Sequence, residues 1–202
     1  MNKLFESFDR LNNTKTSKLY EAKRRMYEHI NQLNLVGDDS DLNESDNTEE
    51  REKVLSDIKN NNFESDPEDF FNSMKDSKHE EMLTFYNVNE LSRMKLFKVP
   101  GYNIGYALKK RDDKSNDYNE IVAVHNNEKD IKGVGDELIQ SAIENGGCYL
   151  DHYDGFLSNF YERNGFIEYK RDDFDPQYDK DGKFEKKYGR SDVVYRIHKS
   201  CK

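Results

Sequence analysis

The chain of 202 residues has no Trp, only 3 Pro and 2 Cys. No apolar run approaches the roughly 18 residues that mark a membrane span. Each shortage excludes something. Without Trp, a core has to be filled by the 13 Tyr and 12 Phe, which suit a compact α/β packing. Two cysteines, Cys148 and Cys201, cannot build a disulfide framework. The expectation is a reducing, cytoplasmic setting, with Cys148 a small buried hydrophobe and Cys201 a tail residue rather than reactive thiols. The opening MNKLFESFDRLNN lacks an apolar h-region, so neither a signal peptide nor a membrane partner is expected. Apolar residues are 34% and charged residues 36%, enough for a core in part of the chain only.

Positive charge is also short, and unevenly so. Residues 38–50, DDSDLNESDNTEE, carry seven acids and no base; without them the net charge falls from −9 to −2. A near-neutral body argues against a nucleic-acid partner. The acidic run has no periodicity and reads as a disordered linker over about 37–51, a solvated spacer in preference to an acidic binding segment. Ahead of it, Leu19, Ala22, Met26, Ile30 and Leu33 recur at helical spacing over 15–35. That stripe packs within the chain, on a second copy or on a partner helix. A short helix is expected near 50–60. Another follows Asp66-Pro67, with Asp66 as N-cap and Pro67 in the first turn. Residues 1–78 are thus read as a helical N-terminal extension, and 79–200 as the main domain.

From about residue 80 the pattern changes. MLTFY (82–86) reads as a strand and NVNELSRMKLF (87–97) as a helix. YNIGYALKK (102–110) and EIVAVHN (120–126) form a hairpin by alternation. A helix follows KDIKGVGDELIQ. CYLDHY (148–153), FIEYKR (166–171) and DVVYRIH (192–198) are further strands, and SNFYERNG (158–165) a further helix. The fold class is α/β, a mixed sheet with flanking helices behind the N-terminal extension.

Gly usually costs about 1 kcal/mol within a helix, so two glycines at the start of one require a reason. First-turn N–H groups have no intrahelical partner and, with the helix dipole, favour an anion. Gly133 and Gly135 remove side chains that would hold a diphosphate away, and Lys132 adds a positive charge. Tight turns and close helix–strand packing are the structural alternatives. The Rossmann pattern fails because Asp136, Glu137 and Leu138 follow Gly135, and the P-loop ending is absent. The Asp-rich loop 174–192 is no EF-hand: with Gly182 at the sixth position, Gln177 would be first and Tyr188 twelfth. No metal is expected.

Residues 130–135, DIKGVG, and 161–166, YERNGF, together resemble the GNAT family of acyl-CoA-dependent N-acetyltransferases. The family's pyrophosphate signature is Gln/Arg-x-x-Gly-x-Gly/Ala, and its second motif is Tyr-x-x-x-Gly-Phe. The resemblance covers roughly residues 80–200. YALKK, IVAVHNN and the stretches 149–166 and 174–195 look similar to GNAT-like proteins of phage and prophage. The resemblance implies acetyl-CoA held where two strands splay, and transfer of its acetyl group to a primary amine on a small molecule or protein. It implies Val124, Asn126, Lys132, Gly133, Val134, Gly135, Asp136 and Asp154 as cofactor-binding residues. Tyr161 would be the acid for the leaving thiolate, and Glu120, His125 or a water chain would take the amine proton. His152 reads as a surface residue. Asp130 and Asp154 depart from the family pattern, which prefers Gln or Arg and Asn there, and the acceptor segment is short. These departures favour the alternative, a catalytically silent GNAT-fold binding or structural protein, phage-associated and residing in host cytoplasm or virion.

Overall fold

The computed structural model describes residues 48–60, 63–75, 84, 86–111, 118–178 and 182–201. The stripe at 15–35 and the acidic residues 38–47 lie outside these, as do residues 112–117 of the hairpin turn.

Helix α1 spans Thr48–Lys59. Glu49 and Glu50 occupy its first turn and Lys59 its last, the arrangement the helix dipole favours. The expected linker over 37–51 is corrected accordingly, since residues 48–51 are helical. Helix α2, Pro67–Met74, starts at Asp66, whose carboxylate accepts from the N–H groups of Glu68 and Asp69, both at 3.0 Å. Helix α3 is one turn, Val88–Leu91, closed by a capping box between Asn87 and Glu90.

Strands β1 (Lys95–Lys98), β2 (Ile104–Lys110), β3 (Asn119–Asn126), β4 (Gly147–Tyr153), β5 (Phe166–Asp172) and β6 (Val193–His198) form one mixed sheet in the order β1-β2-β3-β4-β6-β5. Among the described strands only β3 and β4 pair in parallel. Helix α4 (Gly135–Glu144) joins β3 to β4, and α5 (Phe156–Arg163) joins β4 to β5. Helix α6, Lys183–Tyr188, and a 3₁₀ turn at Pro176–Tyr178 lie in the loop before β6 and were not expected from sequence.

Two expectations are corrected at the first edge of the sheet. Thr84 and Tyr86 are not in a strand, and the rest of MLTFY lies outside the described residues. The expected helix 87–97 stops at Leu91, and Lys95–Lys98 is a strand instead. Its outer edge is joined by Phe63–Ser65: Ser65 N–H donates to the Leu96 carbonyl at 2.9 Å, and Lys98 N–H to that of Phe63 at 2.8 Å. A sheet ladder on both edges outweighs local helical preference.

The two faces of the sheet are covered by different helices. On one, Val54, Leu55 and Ile58 of α1, Leu138, Ile139 and Ala142 of α4, and Phe160 and Tyr161 of α5 pack on Tyr106, Leu108, Ile121 and Leu150. On the other, Phe70 and Met74 of α2 and Leu91 of α3 pack on Leu96 and Ala107. Residues 48–75 therefore belong to both cores, and a domain boundary at 78/79 is corrected: it would cut through shared packing.

The cysteines are not separate thiols. Cys148 and Cys201 form a disulfide with Cα atoms 6.0 Å apart. The antiparallel pairing of β4 with β6, with Tyr149 opposite Ile197, brings the start of β4 beside the turn that follows β6.

Candidate functional site

Strand β3 is paired with β2 along most of its length, but with β4 only through Asn119–Gly147 and Glu120–Tyr149. Beyond Glu120 the two parallel strands have no ladder, and their facing backbone groups are unclaimed by each other. Ala123 lies in this opened stretch at φ 53°, the sole non-Gly residue with positive φ among the described residues. Such a conformation costs an L-residue roughly 1 kcal/mol or more and marks a distortion of the strand.

The glycine turn sits at the end of β3. Gly133 has φ 70°, which explains glycine there without any ligand. Arg51 of α1 reaches across: its Nε donates to the Lys132 carbonyl at 3.0 Å and its Nη2 to the Gly133 carbonyl at 3.4 Å. Because the peptide unit is planar and trans, the N–H groups of Gly133 and Val134 point away from Arg51. The N-cap of α4, Val134, supplies no side-chain acceptor to the first turn. Asn126 braces the approach, donating to the Ile131 carbonyl at 2.7 Å and accepting from Glu128 N–H at 3.0 Å. Its side chain serves the loop.

The two acids closest to the expected cofactor path have internal partners. Asp136 accepts from Arg163 at 2.8 and 3.2 Å and from Asn164 at 2.6 Å, tying the start of α4 to the end of α5. Asp154 accepts from Ser158 Oγ at 2.7 Å, Gly155 N–H at 2.9 Å and Arg171 at 2.7 Å. Burial alone would push the Asp154 carboxyl up, but the bonds from Ser158 and Arg171 outweigh it and hold the group below the usual range. Lys132 and Asp130 are exposed, and Val124 is partly buried against the core.

Tyr161 is 7% exposed, its ring packed on His152, Phe160 and Phe166. Among the described residues its hydroxyl has no hydrogen-bond partner. Burial, and then the charge of Asp151, hold the phenol well above its ordinary pKa, so it is protonated at neutral pH. Leaving a buried hydroxyl unmatched costs about 1–3 kcal/mol, which is a reason to look for a ligand there.

The two expected bases separate. Glu120 lies at the point where β3 and β4 part, with Lys109 Nζ 3.8 Å away. His125 is 2% exposed, beneath Phe70 and Ser73 of α2. The Ala123 carbonyl, 2.9 Å from Nδ1, can only accept, so Nδ1 carries the proton; Nε2 lies 2.9 Å from Ser73 Oγ, whose hydroxyl donates to the Phe70 carbonyl at 2.7 Å. The ring is enclosed by α2, away from the opening between β3 and β4, and the expectation of His125 as base is corrected. His152 is likewise buried, at 6% exposure, rather than on the surface; its Nε2 accepts from Arg196 Nε at 3.0 Å.

Sequence reasoning missed Asp151, Tyr86 and Arg51. Alternation along CYLDHY was the available signal for Asp151, because Leu150 and His152 are inward and Asp151 faces the opposite way. Arg51 had none, since its contact spans 81 residues. Among the described residues, no group of three or more His, Cys, Asp or Glu is poised to hold a metal ion, and no helix is long and apolar enough to cross a membrane. No protein-family model matches the chain, and neither a curated protein nor a solved structure matches it.

Proposed function

We propose that the chain is an N-acetyltransferase of the GNAT type, moving an acetyl group from acetyl-CoA to a primary amine. The observation that carries this reading is the parallel pair β3/β4, opened beyond Glu120 next to a buried, unpartnered phenol. The glycine turn at the end of β3 supports it, because the first turn of α4 has no side-chain cap and such N–H groups suit a pyrophosphate. Counting Phe63–Ser65 as a first strand makes β3 the fourth and β4 the fifth, and leaves α2 and α3 as the two helices of the acceptor segment. The internal pairing of Asp136 and Asp154 removes much of the repulsion that free carboxylates would exert on a phosphate.

In this reading the amine nitrogen attacks the thioester carbonyl carbon and the C–S bond breaks. Backbone N–H groups of β3 facing the opening would stabilise the oxyanion. Tyr161 would give its proton to the leaving sulfur, and Glu120 would take one from the amine.

Calorimetry with acetyl-CoA tests the cofactor half. Micromolar binding is expected for the wild type, and its loss in Gly135→Glu, which places a side chain and a negative charge at the turn. No binding by the folded wild type would remove the transferase reading in favour of a silent binding module. With a responsive amine, Tyr161→Phe is expected to lower kcat by about a hundredfold or more while leaving acetyl-CoA affinity in place. An unchanged kcat would remove Tyr161 as the acid.

A further inference from the structure

The Cys148–Cys201 bond meets the candidate site from two sides. Cys148 lies between Gly147 and Tyr149, the two β4 residues that pair with β3, so it sits within the short ladder that holds the parallel strands together. Asn119, at the β3 end of that ladder, donates both its N–H and its side-chain amide to the Gly146 carbonyl, at 3.1 and 3.3 Å. The contact is close-packed. A Cβ on Gly147 would lie 2.5 Å from Ile121 of β3 and 2.7 Å from the Ala142 carbonyl of α4. A shift at Cys148 is therefore passed to the point where β3 and β4 part.

Cys201 reaches the glycine turn by a separate route. It lies in the 3₁₀ turn Lys199–Cys201 that follows β6. Lys199 N–H donates to the Gly165 carbonyl at 3.1 Å, and a Cβ on Gly165 would lie 2.9 Å from His198 Nε2. Gly165 follows Asn164, whose side-chain amide donates to Asp136 at 2.6 Å and to the Phe160 carbonyl at 2.9 Å. Together with Arg163 it holds Asp136 at the first turn of α4. Asn119 and Asp136 both lie outside the segment that the disulfide closes. A bond that served only to shorten the unfolded chain would need neither connection.

We propose that the Cys148–Cys201 bond is a redox switch on this site. Oxidised, it keeps the β3/β4 ladder closed up to Glu120 and Asp136 tied to α5. Reduced, both ties loosen, and Asp136 is left as an uncompensated carboxylate at the turn where a phosphate would rest. The reductant is a dithiol. Its thiolate attacks Cys201 Sγ, the more exposed sulfur, and expels Cys148 as a thiolate; its second thiol then resolves the mixed disulfide. Two electrons and two protons pass to the protein, which gains two thiols, and the dithiol becomes a cyclic disulfide. The phosphate-bearing ligand is taken from the transferase reading, whereas the coupling from the disulfide to Asn119 and Asp136 stands without it.

The experiment compares the oxidised full chain with the same protein reduced by dithiothreitol, under conditions where circular dichroism shows both folded. NMR is recorded first, without ligand. On reduction the Asn119 amide is expected to quicken in hydrogen exchange by a factor at least about tenfold larger than Ser65 and Lys98, which hold the far edge of the sheet. The Asn164 side-chain amide should lose its hydrogen-bonded shift. Calorimetry with acetyl-CoA follows. Reduction should weaken binding by about fivefold or more, and Cys201→Ser should bind as the reduced protein does, with or without reductant. In Asp136→Asn the loss on reduction should shrink, because no carboxylate is freed. Asn119 and Asn164 responding no more than Ser65 and Lys98 would overturn the switch, as would two reactive thiols before reduction. Responsive amides with no acetyl-CoA binding in either state would keep the switch and remove the transferase reading. Acetyl-CoA binding that is equal in the two states would do the opposite.

Discussion

Lowering the pH from about 6.5 to about 4 is expected to cost the folded state on the order of 5 kcal/mol, through His125 and His152. Both imidazoles are pushed down to about 4. Burial is the largest cause in each; Lys98 adds to it at His125 and Arg196 at His152, while the carbonyls of Ala123 and Tyr153 oppose it. A folded-state pKa below the unfolded one means the unfolded chain binds the proton first. The stability these groups contribute is present above about pH 6.5 and is lost as pH falls toward 4. Each histidine adds about 1.4 kcal/mol per pH unit in that window. Since a domain of this size has about 5–15 kcal/mol in total, the loss is about a third of it or more.

Other groups act in different windows. Glu168, held low by its hydrogen bonds from Arg171, and Asp154 keep their contributions until the pH falls below the ordinary carboxylate range of about 4. Asp151 is raised, so its sign is reversed, and protonation relieves it. Urea unfolding at pH steps from 7 to 4 reads the slope directly. The variants His125→Asn and His152→Asn should each flatten it by about 1.4 kcal/mol per pH unit. A slope unchanged in both would mean that neither imidazole stays neutral in the folded state.

The parts of the fold legible in the sequence are those whose pattern is local. Leu138, Ile139 and Ala142 share one face of α4, and the alternation of YNIGYALKK and EIVAVHN marks β2 and β3, so these elements lie close to where the periodicity puts them. Lys95–Lys98 was not legible. Val88, Leu91 and Met94 continue a helical spacing into it, and only pairing with β2 and with Phe63–Ser65 makes it a strand. The site divides in the same way. Its glycine turn could be found from composition. The separation of Glu120 from His125 could not, because it depends on α2 covering one end of β3 and leaving the other open. Ser73, 52 residues before His125, is one of the residues that enclose its ring.

Reduction of the Cys148–Cys201 bond is expected to lower stability by about 4 kcal/mol. The two residues are 53 apart in sequence, and closing a loop of that size removes roughly this much entropy from the unfolded chain. The enclosed segment contains α5, β5, α6 and β6, so the bond holds Tyr161 and the β4/β6 register against the rest of the sheet. Both cysteines are buried, Cys148 at 2% and Cys201 at 8% exposure, which protects the bond from reductant until the end of the chain loosens. Protein prepared without reductant should present no reactive thiol when unfolded in urea, and two after reduction. Its urea midpoint should fall on reduction, and Cys201→Ser should show the reduced midpoint with or without reductant. Hydrogen exchange should then quicken in β5 and β6 more than in β2, because β2 lies outside the closed loop. Two reactive thiols in the unreduced protein would remove the bond, and with it this account of how the far half of the sheet is held.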